Sequence, residues 1–235
     1  MVSEITSLHH PLVKKCVGLR TDKEVRDHSK TVFLIGEKMV RELSQVVEIQ
    51  TLITKDPSTI KAQERYVVTE AVLKKMTGLP APDGFAAIAP LPEPQVLKNF
   101  SRLLILDRIQ DPGNLGTLLR TAFALNWDGV VFTPGTVDPF NDKALRASKG
   151  ALFSLPYSYE LPNVKPLYIY LADLDGTPLA KTKFQTPLAL VLSNEGAGPD
   201  ARFEKEAQKI SIPMHNRVES LNVAMSGAIL LYGIQ

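Results

Sequence analysis

The chain has 235 residues, 44% of them hydrophobic, a formal net charge of +2 and one cysteine. That length supports one large core or two modest ones without covalent staples. Cys16 alone excludes an intramolecular disulfide, and the small charge excludes the strongly basic composition that often marks a nucleic-acid binder.

The opening MVSEITSLHH is too polar for a secretory signal, and no apolar stretch approaches the ~20 residues that span a bilayer, so a cytoplasmic protein with no membrane role is expected. Next come Lys14, Lys15, Arg20, Lys23, Arg26 and Lys30, interspersed with Asp22, Glu24 and Asp27. They fit a local basic face or a solvated helix surface equally well. Strand patterns follow at VFLIG (32–36), EIQTLIT (48–54), YVVT (66–69) and GFAAIAP (84–90), with helical patterns at EKMVRELSQ and EAVLKKMTG. This is a small α/β domain. The proline-rich stretch APLPEPQVLKNFSR (89–102) is the one obvious seam. The expected organisation is a domain over 1–90, a linker over 91–102 and a second domain over 103–235.

Beyond the seam, LLILD (103–107), GVVFT (129–133), LYIYLAD (167–173), LALVLS (188–193) and KISIPM (209–214) are short apolar runs suited to a buried parallel sheet. Helices fit at 115–126, 141–149, 199–208 and 220–232, giving a doubly wound βα series. Ligands of such sheets bind beyond the carboxyl ends of the strands. Three loops there are chemically unusual.

The first loop, Asp107 to Gly116, carries Pro112, Gly113 and Asn114 into a helix bearing Arg120. Its helix N-terminus could receive an anion, or Asn114 could simply cap the helix. In the second, Ser193-Asn194-Glu195-Gly196-Ala197-Gly198-Pro199, a carboxylate stands between a buried strand and glycines that admit a ligand close to the backbone. Gly196, Gly198 and Ala201 also fit a dinucleotide fingerprint, but too near the end of the chain to open a long βαβ series. The third runs from Ile212 through Met214, Ser220, Leu221 and Asn222 into a helix apolar nearly all round, which should be buried. Ser220 suits its N-cap, and Asn222 needs hydrogen-bond partners there.

His9, His10, His28 and His215 lack Cys or acidic neighbours at metal-binding spacing, so no metal is expected. No phosphate loop of the G-x-x-x-x-G-K-[ST] type and no G-x-S-x-G elbow is present.

In this order, DPGNLGTLLRTAFAL, LVLSNEGAGP and IPMHNRVESLNVAMSGAILLY closely resemble the three motifs of the SpoU (TrmH-like) RNA ribose methyltransferases. VDPFNDKALRASKGALFSLP looks like the same family. SLHHPLVKK, FLIGEKMV and VLKKMTGLPAPDGFAAI resemble its N-terminal RNA-binding domain, similar to ribosomal protein L30e. The resemblance implies a C-terminal α/β domain with a mostly parallel sheet tied in a deep trefoil knot, an arrangement sequence rules never propose. It also implies transfer of a methyl group from S-adenosylmethionine to a ribose 2′-hydroxyl of structured RNA, ribosomal before transfer RNA, by a homodimer. Leu192, Ser193, Gly196, Ile212, Met214 and Leu221 are then the cofactor-binding residues. Arg120 acts on the ribose hydroxyl, with Asn114, Glu195, Ser220 and Asn222 holding the reactants. A guanidinium is a poor base, so Arg120 is expected to stabilise the developing alkoxide and orient a phosphate. Two departures stand out: Ser193 where glycine is frequent, which could narrow the cofactor pocket, and Pro199-Asp200 where an apolar residue is usual. A non-catalytic RNA-binding protein and a dehydrogenase are the competing readings.

Overall fold

The computed structural model describes residues 2–194, 196, 198–215 and 219–234. It divides into two compact units, Met1–Glu93 with Phe140–Phe153, and Pro94–Pro139 with Ser154–Gln235.

The first unit is built on a five-stranded sheet of β1 (Val2–Ile5), β2 (Thr31–Ile35), β3 (Thr51–Thr54), β4 (Glu64–Val68) and β5 (Phe85–Pro90), in the order β1-β4-β3-β5-β2. β1, β4 and β3 run parallel, while β5 is antiparallel to both of its neighbours. Between residues 11 and 29, where sequence patterning offers two readings of a charged surface, lie α1 (Pro11–Thr21) and α2 (Lys23–Ser29). Pro11 starts α1, capped by His10 Nδ1 accepting from the Leu12 N–H at 3.2 Å. Asp22 caps α2 by accepting from the Glu24 N–H.

Val13, Cys16 and Leu19, at helical spacing on α1, join Val72, Leu73 and Met76 of α4 (Glu70–Thr77) in one core with Phe33, Ile53 and Ile88 of the sheet. Arg26 is not on a solvated face. It is 3% exposed and its Nη1 donates to the Leu19 carbonyl at 2.6 Å. The remaining helices are α3 (Glu37–Leu43) and α6 (Asp142–Ser148). α6 follows a stretch of the second unit in the chain but packs on β2.

In the second unit β6 (Arg102–Asp107), β7 (Gly129–Phe132), β8 (Tyr157–Ser158), β9 (Tyr168–Pro178), β10 (Leu188–Ser193) and β11 (Gln208–Ser211) form a sheet ordered β11-β9-β10-β6-β7-β8. Every pairing is parallel. The central strands β6 and β10 bury nearly every residue, which is why they read as unbroken apolar runs. Side chains alternate between faces. Leu103, Ile105, Ala189 and Val191 meet Phe203 of α7 (Ala201–Glu206) in a core on one face. α5 (Pro112–Ala124) and α8 (Val223–Gly233) pack together, and Leu118 and Leu192 both close on Gly227 of α8.

The helix boundaries correct the local reading in two places. Asp111, not Asn114, caps α5, accepting from the Asn114 N–H at 2.7 Å. Asn222, not Ser220, caps α8, accepting from the Ala224 N–H at 2.9 Å. α8 is also not covered all round. Met225, Ile229 and Tyr232, on one stripe, are 58%, 43% and 68% exposed.

Candidate active site

A cavity of about 390 Å³ opens at the carboxyl ends of β10 and β11, alongside the middle of β9, within the size range of small-molecule sites. Leu192, Ser193, Ile212, Met214, Ser220 and Leu221 line it, so residues from the second and third unusual loops meet in one place. Gly196 is not on the lining; its N–H closes a tight turn onto Asn194 Oδ1 at 2.8 Å. Glu195 lies outside the described residues. Asn114 and Asn222 are not on the lining either, but they meet: Asn222 Nδ2 donates to Asn114 Oδ1 at 3.1 Å. The first motif is thereby bonded to the third, and the hydrogen-bond demand of Asn222 is met by Asn114 and the α8 cap. Arg120 projects from α5 and is exposed.

One wall escaped sequence reasoning. β9 runs to Pro178, not to 173, and Ala172, Asp173, Leu174 and Asp175 line the cavity. The β9–β11 pairing slips between Lys209 and Ile210, which partner Leu171 and Thr177. Gly176 allows this close approach: a Cβ there would stand 2.5 Å from backbone atoms of Ile210. The apolar pattern of this strand breaks at the Asp-Leu-Asp-Gly run, which hides the extension. Asp173 pairs with Lys209 at 2.7 Å. The Lys209 ammonium hydrogen-bonded to it, with the Asp175 N–H, holds the Asp173 carboxyl below the ordinary carboxylate range, and the same pair raises Lys209.

Both departures from the family pattern have local partners. Ser193 Oγ donates to Asp107 Oδ2 at 3.0 Å. Asp200 caps α7 through the Arg202 N–H.

The residues fit an adenosyl cofactor. Leu192, Ile210, Ile212, Leu221 and Leu230 supply an apolar wall, the loop at Gly198 admits close backbone approach, and the Asp175 carboxylate adds negative charge suited to a sulfonium cation. Among the described residues no group of three or more His, Cys, Asp or Glu could hold a metal ion, and no helix is long and apolar enough to cross a membrane.

Residues 101–232 match the model of the SpoU rRNA Methylase family. The chain is 34% identical over its whole length, and that of its relative, to the 23S rRNA (guanosine(2553)-2′-O)-methyltransferase RlmP of Bacillus subtilis. It is 31% identical to the 23S rRNA (adenosine(1067)-2′-O)-methyltransferase of Streptomyces azureus over 62% of this chain and 60% of that one. The AdoMet-bound rRNA methyltransferase from Sinorhizobium meliloti superposes with a TM-score of 0.85 at 27% identity, covering 99% of this chain and 97% of the other. Six cavity-lining residues, the bond between the first and third motifs and these likenesses agree: the chain belongs to the SpoU rRNA methylase family.

Proposed function

We propose that the chain transfers a methyl group from S-adenosylmethionine to a ribose 2′-hydroxyl of structured ribosomal RNA. The observation that carries this reading is the cavity itself, where Leu192, Ser193, Ile212, Met214, Ser220 and Leu221 converge on one concave surface at the strand ends. The cofactor supplies an electrophilic methyl on a sulfonium. The protein's part is placement. The apolar wall excludes water from the adenosyl group, and Asp175 at the rim favours the cation over its neutral product. Asn114, fixed by Asn222, and Arg120 on the same helix receive the ribose and its phosphate. Arg120, exposed on α5, acts by stabilising the negative charge that develops on the ribose oxygen as its proton passes to solvent, and alignment of the hydroxyl provides much of the acceleration. Glu195 and Ser220 complete the group. Calorimetric titration with S-adenosylmethionine tests the cofactor half: one site per chain is expected, and absence of binding by folded protein would leave a non-catalytic RNA-binding protein as the reading.

Residues 1–90 form the L30e-like RNA-binding domain in this reading, 91–102 the link and 103–235 the catalytic domain, except that Phe140–Phe153 belongs with the first unit. The return of the chain from β10 to place β11 on the far side of β9 supports a trefoil knot. The exposed stripe of Met225, Ile229 and Tyr232, with Phe123 of α5 also exposed, supports a homodimer through the α5–α8 face. Sedimentation of the parent and of Ile229→Asp tests it; the parent should be a dimer and the variant a monomer. A cytoplasmic location follows from the substrate.

A further inference from the structure

Asp107 ends β6 and is fully buried, yet no motif role falls to it. Its carboxylate gathers four donors. Thr133 Oγ1 donates to Oδ1 at 2.8 Å. Ser193 Oγ, the Asp200 N–H and Arg108 Nη2 donate to Oδ2 at 3.0, 2.9 and 3.4 Å. Arg108 holds a left-handed backbone conformation at φ 55°, strain for a non-glycine residue. The Thr133 hydroxyl accepts its N–H. Its Nη2 also reaches the Gly198 carbonyl at 2.5 Å.

These bonds have a common result. The loop from Asn194 to Asp200, which carries the cavity-lining Asn194, Gly198 and Pro199, is fastened at both ends to the dipeptide Asp107-Arg108. At its start, the Asn194 N–H donates to the Asp107 carbonyl at 3.1 Å and Asn194 Nδ2 to the Arg108 carbonyl at 3.2 Å. At its end, Arg108 holds Gly198 and Asp107 holds Asp200. Ser193, a lining residue, hangs from the same carboxylate. A buried carboxylate is an expensive device unless all its donors are in place. Here the donors are Thr133 just past β7, Ser193 of β10, Asp200 at the end of the loop and the adjacent Arg108, so the loop's position is specified by satisfying Asp107.

We propose that Asp107, with Arg108, is a positioning residue for the cofactor: the pair clamps both ends of the 194–200 loop and so sets the cavity to receive S-adenosylmethionine before it arrives. The proposal rests on the reading of that cavity as the cofactor site. Asp107→Asn keeps the volume but turns an amide N–H₂ toward the Asp200 N–H or the Thr133 hydroxyl, leaving a donor without an acceptor.

The test combines three measurements on the full chain: hydrogen exchange of the Asp200 amide without cofactor, the Kd for S-adenosylmethionine by calorimetry, and steady-state kinetics on RNA. In Asp107→Asn the Asp200 amide should exchange faster and Kd should rise about tenfold or more. The KM for S-adenosylmethionine should rise with it, and kcat at saturating cofactor should fall by much less. Ser193→Ala and Arg108→Met each remove one fastening and should raise Kd by about threefold; they decide the matter should Asp107→Asn not fold. Folded variants whose Kd equals that of the parent overturn the proposal, as does a loss confined to kcat. A parent chain that binds no S-adenosylmethionine fails at the cofactor reading itself, whereas parent binding with indifferent variants fails only the clamp.

Discussion

Gly227→Ala opposes two effects of known sign. Gly227 is buried in the middle of α8, where alanine improves helix propensity by about 0.8–1.0 kcal/mol. A Cβ at this position would, however, collide with Leu118 Cδ2 and stand 2.7 Å from Leu192 Cδ1. Both leucines are essentially unexposed, at 0% and 1%, so neither has free space to enter except the cavity that Leu192 lines. Overpacking of this kind costs about 1–3 kcal/mol. The difference is a net loss of about 1 kcal/mol, or a melting temperature lower by about 2–4 °C for a chain of this size. Differential scanning calorimetry measures the first consequence and titration with S-adenosylmethionine the second, a weaker affinity as Leu192 is pushed into the cavity. A melting temperature at or above that of the parent would refute the packing argument, because propensity would then have outweighed the collision.

Arg120→Ala should lower methyl transfer by at least about 100-fold while shifting stability by no more than about 0.5 kcal/mol, since the residue is exposed; single-turnover kinetics and thermal unfolding check the two halves. Asp111→Ala removes the α5 cap and should cost about 1 kcal/mol, read from denaturant midpoints. Burial pushes the Cys16 thiol from its ordinary 9.0 up to about 12, so it should resist a disulfide reagent in native protein and react at once in denaturant. The same displacement has a definite sign in pH: Cys16 contributes stability that is present below its ordinary value of 9.0 and is lost as pH rises from there toward its folded value.

The parallel sheet was legible because β6 and β10 are buried on both faces and therefore carry uninterrupted apolar runs. α1 and α2 were less so, since their buried positions are separated by lysines and arginines whose exposure only the fold reveals, Arg26 being buried among them. The wall at Ala172–Asp175 was hidden for another reason. Its polar run follows an apolar strand like an ordinary turn, and the register slip at Lys209 and Ile210 that keeps it in the sheet is a pairing property with no local signature. Three motifs in order named Leu192, Ser193, Ile212, Met214, Ser220 and Leu221, which the fold brings to one cavity, and Asp107 was overlooked because a terminal strand aspartate resembles any helix-preceding polar residue until its four donors are assembled.

The central claim is tested most directly by incubating the protein with labelled S-adenosylmethionine and unmodified RNA separated into ribosomal and transfer fractions. Label should enter the ribosomal fraction and survive alkaline hydrolysis as a 2′-O-methylated dinucleotide. Label in neither fraction, from folded protein that binds the cofactor, would contradict the assignment as an RNA ribose methyltransferase, and label in transfer RNA alone would contradict its substrate.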